Sequence, residues 1–324
     1  LNRPVASPAH RRVGSVLVRV AVATGLTAYI LWKSHPRDVV GVAAGANWGL
    51  MSTAVLLVLA DRALMAYRWL LLLCIVDPGQ RPPLREVMRI FFVSTFVGTF
   101  LPASVGGDAV RAYSIAQLNV RGGDAVASVF MDRMLGVLSI LIMALVGLLL
   151  ARDLASNVTI LSSLVLAGVA CIATLLLVFS AGATAVARHL VGWLPVAARQ
   201  AAARLFESIR RYAVYHRELT YVLICSVGVQ ILRIVQAYYL GRGLAIEAPV
   251  TAYFAFVPLI LLVMLLPVTF NGIGTSQAAF VWFFARAGVT APAAFALSVL
   301  FVALGVVGNL PGGILYVLGR ARAS

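Results

Sequence analysis

"LPASVGGDAVRAY", residues 101–113, sets a proline, paired glycines, an aspartate and an arginine directly behind the apolar run "IFFVSTFVGTF". Proline has no N–H to continue a helix and restricts the residue before it, while glycine permits a tight reversal. A helix entering an apolar phase must therefore stop here. "LPVTFNGIGTSQAAF", residues 266–280, repeats the rhythm. Pro102 matches Pro267 and Gly107 matches Gly272. Asn271 stands where Gly106 does, and Gly274 follows. The two apolar regions so interrupted are 84–120 and 250–288, and each half is short for a full crossing.

The surrounding chain decides what such interruptions mean. Of 324 residues, 62% are hydrophobic and 11% charged, with mean hydropathy +0.98. A soluble domain carries about 25% charged residues. Several runs exceed the roughly 18 apolar residues that cross a bilayer core, and none alternates as a membrane β-strand would. The chain reads as an all-α integral membrane protein forming one polytopic domain. Six full spans are expected at 13–32, 47–75, 125–150, 157–180, 219–240 and 291–318, plus two re-entrant hairpins at the interrupted regions. Non-helical backbone at membrane depth survives only against protein or a wet cavity.

The net charge is +15, with Lys33 the only lysine. No basic-aromatic module for nucleic acid is visible, so the expected partner is an anionic leaflet or an anionic lipid headgroup. Arginines crowd 1–12, 76–90, 111–124, 181–218 and 319–324 and are sparse in the alternate segments. That asymmetry predicts cytoplasmic N and C termini. Three spans separate the hairpins, an odd number, so they open on opposite faces. This defines an inverted-topology repeat with motifs at 84–150 and 250–318, an architecture that places binding sites near the midplane. Between them, within 181–218, Leu205, Phe206, Ile209 and Tyr212 recur at helical spacing. They predict either an amphipathic helix on the inner leaflet or a plain connector.

Charge inside the spans carries the functional reading. Asp61 and Arg62 fall mid-span, with Arg68 one heptad after Asp61. Asp132 and Arg133 form a second pair, Arg233 shares a stripe with Ser226 and Gln230, and Asp108 and Arg111 share a helical face. Each costs about 2.5–3.5 kcal/mol at a helix centre. Internal pairing is one reason to keep them. The other is phosphate, which surplus guanidinium binds bidentately, and Arg62, Arg111, Arg133 and Arg233 outnumber Asp61, Asp108 and Asp132. Arg111 and Arg133 are the first candidates for headgroup binding, then Arg233 and Arg62. The aspartates are ion-pair or proton-coupling candidates. Cys74, Cys171 and Cys225 lack metal spacing, and His10, His35, His189 and His216 lack a partner motif. No metal, cofactor or catalytic constellation is expected.

"LPASVGGDAVRAY", then "ASVFMDRMLG", with "LPVTFNGIGTSQAAFVWFFARAGV" near the end, resembles the flippase-like lysylphosphatidylglycerol synthase transmembrane-region family over about 13–318. The family includes the membrane half of the multiple peptide resistance factor and stand-alone prokaryotic proteins. The resemblance implies a multi-pass protein of the cytoplasmic membrane that moves an anionic or modified phospholipid, or a polyprenyl-phosphate-linked lipid, between leaflets. Through its second motif it adds Asn271 and Gln277 as substrate contacts, although glutamate is common where Gln277 stands. It does not imply aminoacyl transfer, which needs a large soluble domain. Two other readings stay open: an accessory subunit for a lipid-modifying or glycosyl-transferring partner, and an enzyme acting on a lipid phosphate.

Overall fold

A computed structural model describes residues 36–76, 82–100, 105–118, 120–150, 196–265 and 273–320, with isolated positions at 29 and between 161 and 173. The regular structure in them is helical: α1 (Pro36–Ala44), α2 (Trp48–Val76), α3 (Leu84–Phe100), α4 (Val105–Ala116) and α5 (Gly122–Leu150). The second half follows with α6 (Val196–Tyr212), α7 (His216–Gly243), α8 (Val250–Leu265), α9 (Thr275–Phe284) and α10 (Ala291–Arg320).

Among the described residues, Trp48–Ile75, Gly122–Leu150, His216–Gly243 and Ala291–Leu318 are long and apolar enough to cross a membrane. They coincide with four of the six expected spans. The other two, 13–32 and 157–180, lie outside the described residues apart from isolated positions, as do Pro102, Pro267, Asn271 and Gly272. Leu145 and Leu149 of α5, Ile224 and Ile231 of α7, and Leu310 and Ile314 of α10 all face outward. Such a surface is stable only against lipid.

The packing partners follow a pattern. Helix α3 lies along α10, and α8 lies along α5. Helix α4 touches α3 and α5; α9 touches α8 and α10. Short α1 rests on α10, and α6 rests on α5, while α2 and α7 pack together at the centre. Missing side chains make two of these contacts close. A Cβ on Gly147 would stand 2.7 Å from the Phe254 carbonyl oxygen, and one on Gly312 would collide with the Phe92 carbonyl oxygen. The expected role of Gly106 and Gly107 in a reversal takes a different form. Both lie inside α4, neither among the positive-φ glycines. Gly107 instead lets α3 and α4 approach closely, since a Cβ there would come within 2.8 Å of the Ser94 carbonyl oxygen. Gly274, at φ 89°, does take the left-handed conformation that favours glycine.

Helix α6 resolves the alternatives for the amphipathic stretch. Ile209 and Tyr212 are buried among Leu72 and Ile75 of α2 and Ala127 and Met131 of α5. Its apolar face is therefore covered by protein at this point, and not by lipid. The Tyr212 hydroxyl donates to the Leu72 carbonyl at 3.0 Å, and Arg211 stands 3.6 Å from Asp124. Tyr212→Phe removes one buried hydrogen bond and is expected to cost about 1 kcal/mol. The shift in thermal unfolding midpoint in detergent checks this, and an unchanged midpoint would show that α6 is held by packing alone.

Candidate functional site

The central helices leave a cavity of about 470 Å³ whose wall is drawn from α2, α3, α4, α5, α7, α8 and α10. The lining is mixed: Leu261, Met264, Phe301 and Val302 supply apolar surface from α8 and α10, and charged residues come from α2, α4, α5 and α7. Five arginines (Arg62, Arg68, Arg111, Arg133, Arg233) and three aspartates (Asp61, Asp108, Asp132) line it. They form two groups along α2, and the groups differ in how well they are satisfied.

The first group gathers α2, α4 and α5. Asp132, 3% exposed, takes Arg68 at 2.6 Å and Arg111 at 3.1 Å. Arg68 also donates to the Ser226 hydroxyl at 3.0 Å and to the Asp132 carbonyl at 3.3 Å. Arg111 lies over Trp69, 4.8 Å from the ring centroid, and within 5.6 Å of Phe91. Trp69 is held in turn by its indole N–H, which donates to Ser128 at 3.1 Å. Asp108 receives Arg133 at 2.7 Å and lies 3.6 Å from Arg111. The i,i+3 face sharing of Asp108 and Arg111 thus holds. The heptad relation of Asp61 and Arg68 does not become a pair, because Arg68 turns to Asp132 on another helix.

The second group joins α2, α7 and α10. Asp61, 1% exposed, contacts Arg62 at 3.1 Å, and its other oxygen lies 3.5 Å from Arg233 Nε without a hydrogen bond. Arg62 reaches the Gly305 carbonyl at 3.4 Å, and both arginines approach the Met65 sulfur. Gly308 lets α10 approach α2 here: a Cβ on it would stand 2.8 Å from the Val58 side chain and 3.4 Å from Arg62 Nε. Two buried atoms here, Asp61 Oδ1 and Arg62 Nε, have no hydrogen-bond partner, and elsewhere on the cavity wall Gln230 Oε1 and Asn309 Oδ1 also lack one. In the first group only Arg111 Nε is so placed among these charged residues. Buried polar atoms normally find partners, so the second group is the incomplete one.

The cavity thus brings together the mid-span arginines and aspartates singled out from the sequence, Arg68 among them, and adds Asn309. Arg68 was visible as a charge, but its partner is 64 residues away. Asn309 gave no signal inside an apolar run. Gln277 lies elsewhere: buried at the start of α9, its side-chain oxygen accepts the Gly274 N–H at 2.5 Å and the Ser276 hydroxyl at 2.9 Å. It caps the helix and is not part of the cavity wall. Among the described residues no group of His, Cys, Asp and Glu is placed to hold a metal.

Spanning helices around a buried, net-cationic cavity define a multi-pass α-helical membrane protein with a polar interior site. The chain belongs to the family described as the lysylphosphatidylglycerol synthase TM region, which it matches over residues 16–312. That makes it a member of a lipid-related membrane family. No curated protein matches it.

Proposed function

We propose that the protein moves an anionic or phosphate-bearing lipid between the leaflets of the cytoplasmic membrane, and that the buried arginines hold the phosphate during passage. The observation that carries this reading is the charge excess: five arginines, four of them largely buried and Arg133 half exposed, against three aspartates on one membrane-embedded cavity. A structural ion-pair network needs no surplus, and each unmatched buried guanidinium is costly unless an anion neutralises it. The apolar surface of the same cavity suits acyl or prenyl chain.

Two halves, represented among the described residues by α1–α5 and α6–α10, related as an inverted repeat and with both termini cytoplasmic, complete the reading. Its support is the packing correspondence, in which α3 on α10 answers α8 on α5 and α1 on α10 answers α6 on α5. Gly147 and Gly312, the two close crossings, are separated by the same number of residues as Leu101 and Leu266. Repeats of this kind let one unit rock against the other around a fixed site.

The geometry favours Arg62 and Arg233 as the phosphate ligands, since Arg111 is held between two carboxylates and a tryptophan. Removing them alone would strand Asp61, so the test uses Asp61→Asn/Arg62→Gln/Arg233→Gln. In proteoliposomes carrying an anionic reporter lipid, this variant is expected to lose translocation at least tenfold while eluting as the wild type does. Each lost charge-assisted bond is worth about 1.5–3 kcal/mol, and 1.4 kcal/mol is about tenfold. Full translocation by the folded variant would refute phosphate binding by these arginines.

A further inference from the structure

The unpartnered atoms of the cavity wall specify more than an anion, because most of them are acceptors. Gln230 sits one turn before Arg233 on α7, and Asn309 one turn after Gly305 on α10, and both line the same cavity as Asp61, Arg62 and Arg233. The direction of each amide is set by a neighbouring hydroxyl. Ser139 donates to the Gly136 carbonyl at 2.7 Å, so towards Gln230 it acts as acceptor, taking the side-chain N–H at 3.0 Å. Thr99 donates to the Thr95 carbonyl at 3.0 Å and accepts from the Asn309 amide at 2.9 Å. A hydroxyl carries one proton, so neither amide can flip without losing its bond. Both carbonyl oxygens are left pointing away from those bonds with no donor. With Asp61 Oδ1 that makes three unmatched acceptors on the cavity wall, against two unmatched donors, Arg62 Nε and Arg111 Nε.

A bare phosphate, which offers acceptors, would satisfy only the arginines. Hydrogen-bond donors on the ligand could be hydroxyls or an ammonium. The cavity carries two more arginines than aspartates, and that surplus repels a cation while leaving neutral hydroxyls unaffected. Two of the three acceptors are neutral amide oxygens, the ordinary partners of hydroxyl groups. Resting on the reading of the cavity as a phosphate site, we propose that it takes a phosphodiester headgroup rich in hydroxyls, a polyol or sugar phosphate, with no net positive charge.

The test compares two phosphodiesters of equal charge that differ in hydroxyls, with a third that carries an ammonium instead. Purified full-length protein in detergent is titrated with phosphatidylinositol, phosphatidylmethanol and phosphatidylethanolamine, and binding is read by native mass spectrometry. Phosphatidylinositol is expected to bind at least tenfold more tightly than phosphatidylmethanol, with phosphatidylethanolamine weakest. In Gln230→Leu/Asn309→Leu the preference should collapse while phosphatidylmethanol binding persists, which also shows that the variant is folded. If that variant fails to fold, the wild-type ratio decides alone. Equal wild-type binding of phosphatidylinositol and phosphatidylmethanol, both lost in Asp61→Asn/Arg62→Gln/Arg233→Gln, would overturn the hydroxyl requirement and leave the phosphate site standing. Tightest binding by phosphatidylethanolamine would overturn it too. Binding that ignores the arginine substitutions would sink the phosphate site and this inference together. Soluble glycerophosphoinositol, added as a competitor, separates the sources: displacement at equal concentration assigns a water-soluble polyol phosphate, and no displacement assigns a lipid.

Discussion

Asp132→Ala is expected to lower the unfolding free energy by about 3–5 kcal/mol, the cost of stranding buried charge by removing one partner. The carboxylate is the sole acid reaching Arg68 among the described residues, and it also holds Arg111. Both guanidinium groups are about 5% exposed. Without Asp132, Arg68 keeps only the Ser226 hydroxyl and a backbone carbonyl, while Arg111 keeps the more distant Asp108 and its ring stacking. Asp108→Ala makes the contrast. Its close partner Arg133 is 52% exposed, and pairs open to solvent or headgroups contribute about 0–1 kcal/mol. Denaturant unfolding in micelles should therefore rank Asp132→Ala far below wild type and Asp108→Ala near it. Equal losses for the two would mean that the first group is not the anchor of α2, α4 and α5.

Gly312→Val and Gly147→Val are expected to destabilise by about 3 kcal/mol each, at the upper end of overpacking costs. The obstruction in both cases is main chain. The added Cβ meets the Phe92 carbonyl and its carbon on α3, or the Phe254 and Ala255 backbone on α8. A flexible side chain can rotate away, but a helix backbone can only be displaced whole. Paired losses of similar size in monodisperse yield and unfolding midpoint would support the two crossings as counterparts. Loss at one and tolerance at the other would separate them and weaken the repeat. Gly41 and Gly122, where an added Cβ would meet nothing within 4 Å, serve as controls and should accept alanine with little change.

Hydropathy and charge placement were sufficient for the class of protein, the helical architecture of the described residues and the boundaries of four spans. These are local properties: a bilayer selects each apolar run by its own length, and a charge is costly there whatever its neighbours. The pairing of those charges was not legible. Arg68 and Asp61 share a face of α2, yet Arg68 bonds to Asp132, and Asp61 lies with Arg62 and with Arg233 from α7. Likewise the periodicity of α6 announced an apolar face without saying that α2 and α5 would cover it. A nearly uniform apolar helix can be rotated about its axis without changing its sequence signal. Only the packing of one helix against another, set at points such as Gly147 on Phe254 and Gly312 on Phe92, decides which polar groups meet, and which are left for a ligand.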